Sequence, residues 1–301
     1  MFDLVIIGGG PAGLTAAIYA IRKRLNVLVL TKDFGGKTNF RLALPWIQEY
    51  QVVRGLEVVN KFRSELEYLD FARQLDDVQK IERRDGGFHI TTKSGAELDS
   101  RSIIIATGAR QVRLGVPGEK EFTMKGLCYS ALSYAPLFID KTTIVIGNGE
   151  LALRAAGELS TVAKHVYMVC QDEAAFAAPL GRKLKASSNV TILKGCDVVE
   201  VRGDEYARTL VLKDSSGKTV EYSADAMFVE KALTPNSGMV KDLVDLNERG
   251  QIVVDCANRT SLPGVFAAGD VTSGYAEQVL VAVGEGAKAA LSAYEYLLPT
   301  L

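Results

Sequence analysis

With 301 residues the chain has room for two domains of ordinary size, each with its own core. Apolar residues make up 48% and charged residues 24%, and the formal charge is −1, so nothing in the overall balance attracts nucleic acid or an anionic membrane surface. No apolar run reaches the ~20 residues that span a bilayer, no cleavable leader is expected before the opening strand, and the expected compartment is cytoplasmic.

In chain order, an apolar strand over 4–7 enters the turn Gly8-Gly9-Gly10-Pro11-Ala12-Gly13, followed by a helix over about 14–24 and a strand over 26–30. That is a βαβ unit of ordinary length. Acidic, helix-rich and hairpin-like segments come next, with Arg84-Asp85-Gly86-Gly87 turning between alternating strands. Ser102-Ile103-Ile104-Ile105-Ala106-Thr107-Gly108 reads as a buried strand ending on small residues. After a loop at Gly115-Val116-Pro117-Gly118 the first pattern repeats: a strand over 143–146, the turn Gly147-Asn148-Gly149-Glu150-Leu151-Ala152, a helix over 151–159 and a strand over 166–169. Mixed strands continue to Phe228, and around Asn247-Glu248-Arg249-Gly250 the chain is expected to return to its first domain. Gly264-Val265-Phe266-Ala267-Ala268-Gly269-Asp270 and a helix over about 277–298 close it. The expected fold class is α/β, with two Rossmann-like dinucleotide-binding domains. The second, 113–246, is inserted into the first, 1–112 plus 247–301.

A strand that turns on glycines into a helix brings the backbone against a pyrophosphate and aims the helix's positive end at it. Two such turns imply two nucleotide cradles, and so a protein that moves electrons between large cofactors. In the first, Gly8 suits the tight turn, Gly10 lets the backbone approach the pyrophosphate, and Gly13 lets helix and strand pack closely. Competing chemistries find little support. The two histidines, His89 and His165, fit no metal-ligand or nucleophile–base pattern, and no G-x-S-x-G elbow frames Ser130 or Ser133. Cys128, Cys170, Cys196 and Cys256 form no C-x-x-C, and most of them read as buried free thiols. Arg22-Lys23-Arg24 reads as a solvated helix end complementing the dipole.

Four motifs in order, the first glycine turn, Ala106-Thr107-Gly108, the second glycine turn and Gly269-Asp270, carry a resemblance over nearly the whole length. The chain resembles the low-molecular-weight thioredoxin reductase family of FAD-dependent pyridine nucleotide-disulfide oxidoreductases. The resemblance implies FAD in the first domain, a pyridine-nucleotide-type site in the inserted one, and a homodimer. It implies FAD contacts at Gly8, Gly10, Pro11, Ala12, Gly13, Val78, Ala106, Thr107, Gly108 and Gly269. Thr31, at the expected strand end, falls where the adenosine ribose is met. Gly35-Gly36-Lys37 matches the family's Gly-Gly-Gln loop, with Lys37 a departure. Asp270 is expected to accept from a ribityl hydroxyl. Gln278 and Val279, opening the last helix, match an Arg-Gln-Ala segment whose amides face the flavin, with Glu277 in place of the arginine. In the second cradle the implied contacts are Gly147, Gly149, Glu150, Leu151, Cys170 and Gln171.

Two departures bear on activity. Counting back from Gly147, the family's reactive C-A-T-C falls on Ser130-Ala131-Leu132-Ser133. Serine hydroxyls form no disulfide, so the dithiol relay is missing there. The neighbouring acid becomes Tyr134, and Cys128, two residues upstream of Ser130, is read as a packed thiol. The family's His-Arg-Arg, which binds the 2′-phosphate of NADPH, falls on Cys170-Gln171-Asp172. Asp172 would repel a phosphate and suits a ribose diol, so NADPH is disfavoured and a second FAD or NADH is expected, a second FAD being the resident of a diflavin branch of the family. The segment 174–178, Tyr129 and Tyr134 are candidates to cover such a ring.

The expectation is therefore an FAD-dependent oxidoreductase without thioredoxin reductase activity, whose reaction centre is the flavin ring itself. Its electrons would be exchanged with a second dinucleotide, a small redox protein or a quinone. The alternatives are an NAD(P)H-dependent ferredoxin, flavodoxin or quinone reductase, and a non-catalytic flavin-binding sensor. No metal site is expected.

Overall fold

The computed structural model describes residues 1–50, 56–69, 72–172 and 174–301. The apolar run Leu4-Val5-Ile6-Ile7 has no polar face to give to water, so it forms a strand buried on both sides. It is the middle of strand Phe2–Gly9, flanked in parallel by Val27–Phe34 and Glu97–Ile105. These lie in a seven-stranded sheet ordered Arg73–Leu75, Val27–Phe34, Phe2–Gly9, Glu97–Ile105, Gly87–Thr92, Val78–Arg84, with Val265–Ala267 also pairing to Glu97–Ile105. One face carries helices Pro11–Arg22 and Val279–Leu297, sharing a core of Leu14, Ala16, Ile18, Ala289 and Ala293. Small residues set that packing: a Cβ on Gly286 would stand 2.1 Å from the Ala12 carbonyl oxygen. Helix Pro11–Arg22 starts on proline, where a missing N–H costs no hydrogen bond.

This sheet belongs to one compact unit, Met1–Asn39, Val53–Arg110 and Thr234–Leu301; the other is Phe40–Val52 and Gln111–Leu233. The second unit has a five-stranded parallel sheet ordered Leu127–Cys128, Ala226–Val229, Thr142–Ile146, His165–Cys170, Val190–Lys194. Helix Gly149–Ser160 packs on it through Ala152, Leu153, Ala156 and Leu159. Strands Asp197–Gly203, Ala207–Lys213 and Thr219–Ser223 form a separate antiparallel sheet.

The unit boundaries differ from those read in the sequence. The chain re-enters the first unit at Thr234 rather than near 246. Asn236 Nδ2 donates to the Thr107 carbonyl at 2.8 Å, and Val240 and Val244 join the core of Val5 and Ile7. Phe40–Val52, expected in the first domain, packs with the second unit: Leu42 and Leu44 are buried with Phe138, and Ala43 N–H donates to the Met124 carbonyl. Short loop segments carry no periodicity that says which core they join; the long-range contacts decide it. Element ends also move. The strand expected over 26–30 runs on to Phe34, and the last helix begins at Val279.

Candidate functional site

The first turn is shaped by what its glycines exclude. Gly8 sits at φ +115°, and a Cβ there would lie 2.3 Å from the Ala106 carbonyl oxygen. A Cβ on Gly13 would lie 1.8 Å from the Gly8 carbonyl oxygen, so strand and helix meet at backbone distance. Gly10 is different. It is the extended N-cap of helix Pro11–Arg22, and a Cβ on it would meet nothing within 4 Å. No side chain caps this helix and no acid lies in its first turn. Pro11 has no N–H, and with no side-chain cap the amides at Ala12 and Gly13 are left open to an anion. An open space at the uncapped, positive end of a helix is what a dinucleotide's diphosphate requires, and these residues fit it.

Loops close around this helix start from two sides. Gly35 N–H donates to the Gly9 carbonyl at 2.8 Å, and a Cβ on Gly36 would lie 3.4 Å from Gly10 Cα. On the other side, a Cβ on Gly269 would lie 3.1 Å from Ala12 Cβ. Lys37 Nζ donates to Asp270 Oδ2 at 2.8 Å, joining the two loops. Gly269 N–H donates to Glu285 Oε2 at 2.7 Å. Burial raises the Glu285 carboxyl from its ordinary value. Ala106-Thr107-Gly108 is tied down by Asn236, whose carbonyl accepts from Thr107 Oγ1 and whose N–H donates to the Gly108 carbonyl. Gln278 is the extended N-cap of the last helix, again without a side-chain cap or a first-turn acid, and Val279 packs on the helix core.

Two expected contacts sit differently. Thr31 is three residues inside its strand rather than at its end. It is buried, and its hydroxyl donates to the Asp33 carbonyl at 2.7 Å. The exposed acid near the strand end is Asp33, whose Oδ1 accepts from Gly36 N–H. An acid about 20 residues beyond the last glycine of such a turn is a ribose signal, and it is present in the sequence. Val78 has its side chain in the core with Leu30 and Ile81.

The second turn has the same frame. Gly147 sits at φ +159°, and a Cβ there would lie 2.1 Å from the Glu230 carbonyl oxygen. Gly149 sits at φ +80° with nothing within 4 Å of a Cβ. Its surroundings are occupied differently. Asn148, the N-cap, turns its Oδ1 to accept from Gln171 N–H at 2.8 Å instead of capping the helix. Gln171 Nε2 donates to the Cys196 carbonyl and to Asp197 Oδ1 at 2.8 Å. Glu150 places an acid in the first turn, beside Leu151. Cys170 is buried, and Asp172 accepts from Ala174 N–H.

At the serine pair, Ser130 Oγ donates to Ser133 Oγ at 3.0 Å. Glu230, a buried carboxylate that strand patterning did not single out, accepts from Ala131 N–H at 2.7 Å. Cys128 is fully buried, and burial together with the Glu230 charge pushes its thiol far above the ordinary range. It is protonated and non-nucleophilic there. Tyr134, pushed up to about 12 by burial, and Phe176 are core side chains rather than surface rings. Tyr129 donates to Glu119 Oε1 at 2.7 Å. Cys128, Cys196 and Cys256 form no disulfide. Among the described residues no His, Cys, Asp and Glu group is arranged for a metal ion, and no helix is long and apolar enough to cross a membrane.

A family model for pyridine nucleotide-disulphide oxidoreductases matches residues 2–286. Alkyl hydroperoxide reductase F of Pseudomonas aeruginosa is 37% identical over 99% of this chain, and that of Staphylococcus aureus (strain MSSA476) is 35% identical over 99%. The chain spans 59% of the length of these relatives. Among solved structures, thioredoxin reductase from Streptococcus pyogenes MGAS5005 matches with a TM-score of 0.88 at 32% identity, covering 99% of both chains. Thioredoxin reductase from Giardia duodenalis matches with a TM-score of 0.87 at 30% identity, also over 99% of both.

Proposed function

The chain belongs to the pyridine nucleotide-disulphide oxidoreductase family, and from that premise we propose that it is an FAD-dependent oxidoreductase of thioredoxin-reductase fold that works without a C-x-x-C dithiol. FAD, when bound, supplies a ring that takes up and gives back electron pairs. The first cradle would hold it: the Ala12 and Gly13 amides at the diphosphate, Asp33 at the adenosine ribose, Asp270 at the ribityl chain, and the Val279 end of the last helix toward the ring. The observation that carries this is the open face of Gly10 at an uncapped helix start. Ser130 and Ser133 can donate and accept hydrogen bonds but cannot exchange electrons, and the protonated Cys128 does not replace them.

The second unit would hold a dinucleotide lacking a 2′-phosphate, a second FAD or NADH. The absence of cationic residues in Cys170-Gln171-Asp172 supports that choice. A small redox protein or a quinone is the remaining partner class, and the chain is proposed to work as a homodimer. Counting FAD released on denaturing the purified protein tests the reading, together with anaerobic additions of NADH and NADPH followed by flavin absorbance. Two FAD per chain support the second flavin; one FAD bleached by NADH alone supports the nicotinamide. Rapid bleaching by NADPH overturns the second-site assignment. A colourless chain that cannot be reconstituted with FAD overturns the function.

A further inference from the structure

We infer that Lys37 is a charge-compensating residue of the first cradle: where the family's loop carries a neutral glutamine, its ammonium offsets the charge of Asp270 and so tightens the binding of an anionic dinucleotide beside that carboxylate. The inference rests on reading this cradle as a dinucleotide site. Asp270 follows Gly269, whose Cβ position is 3.1 Å from Ala12 Cβ, so the carboxylate belongs to a turn packed on the helix start that receives the diphosphate. A second carboxylate, Glu285, accepts from Gly269 N–H in the same turn. Two acids beside a diphosphate seat oppose the helix dipole that favours the anion. Lys37 pairs with the first of them from across the helix start, reaching Asp270 at 2.8 Å. The pair's side chains are only 34% and 17% exposed, so water screens them less than it screens a surface pair. Lys37 arrives on a loop fixed against the turn itself, through Gly35 N–H on the Gly9 carbonyl and Gly36 against Gly10. Glu285 has Lys288 as a nearby charge, but Lys288 is exposed and donates to the Cys256 carbonyl. A neutral glutamine at 37 would leave Asp270 without its cation.

The test measures dissociation constants for FAD and for inorganic pyrophosphate in the wild type, Lys37→Gln, Lys37→Arg, Asp270→Asn and the Lys37→Gln/Asp270→Asn double variant, at low and high salt. The melting temperature of each apoprotein checks folding. Lys37→Gln is expected to weaken both ligands by about tenfold or more at low salt, with the loss shrinking at high salt. Lys37→Arg restores binding, and the loss is smaller in the Asp270→Asn background. A loop with a merely structural role predicts a loss that ignores salt and the Asp270 background, and that result overturns the inference. So does unchanged affinity in Lys37→Gln. Pyrophosphate binding that depends on Lys37 without FAD binding upholds the charge role and overturns the flavin reading. A wild type that binds neither ligand overturns both.

Discussion

The two glycine turns share a strand–turn–helix frame, and in each the first glycine backs against a carbonyl, of Ala106 or of Glu230, that leaves no room for a side chain. They diverge at the helix start. In the first, Gly10 opens onto space, the first turn carries no acid, and a cation is brought in from a neighbouring loop. In the second, Asn148 closes its side chain onto Gln171, Glu150 puts a negative charge in the first turn, and Gln171 is engaged with Cys196 and Asp197. Glycine conformations build a cradle; the charges and hydrogen bonds around its helix start decide what it accepts.

The strongest way to break the comparison is to attack the shared frame. Gly13→Ala forces a Cβ onto the Gly8 carbonyl and is expected to destabilise the protein by about 3 kcal/mol or more, read from urea denaturation. Gly10→Glu attacks only the difference. The extended backbone tolerates a side chain and nothing lies in its way. FAD affinity should fall on the order of 100-fold, because a carboxylate faces the diphosphate, while the apoprotein melts within a few degrees of the wild type. Preserved FAD binding in this variant would remove the first cradle as the site.

The second cradle can be redirected. Gln171→Arg with Asp172→Arg supplies two guanidinium groups where a 2′-phosphate would arrive, and the ratio of NADPH to NADH affinity should rise about tenfold or more. No change in the ratio would place the selectivity elsewhere. The smallest effect concerns Glu285. Its folded-state carboxyl is raised by burial, so the stability it contributes is complete below the unfolded-chain value of about 4.3 and is lost as pH rises through the folded value. Glu285→Gln keeps an acceptor for Gly269 N–H and removes the titration. The decline in melting temperature across that window should therefore be shallower in the variant.

Much of this is legible in the chain itself, because turns and buried strands are local. Gly8, Gly10 and Gly13 at their spacing, Ile103-Ile104-Ile105 before Ala106-Thr107-Gly108, and Gly147 with Gly149 mark strands and turns within a few consecutive residues, although the carbonyls that exclude a side chain at Gly8 and Gly147, those of Ala106 and Glu230, come from distant parts of the chain. That positions 130 and 133 carry hydroxyls rather than thiols is equally plain, since it is a matter of residue identity. Asp33 is readable too, but a strand expected to stop at residue 30 hides it, and that strand in fact reaches Phe34.

Tertiary structure alone supplied the rest. Lys37 meets Asp270 across 233 residues of sequence, and nothing near either one announces the other. Glu285 looks like a solvated helix residue until the fold lays it against Gly269. The re-entry at Thr234 follows from Asn236 pairing with Thr107, a contact between distant strand ends. Backbone shape is fixed by neighbours along the chain, whereas charge compensation and unit membership depend on which distant surfaces the folded chain brings together.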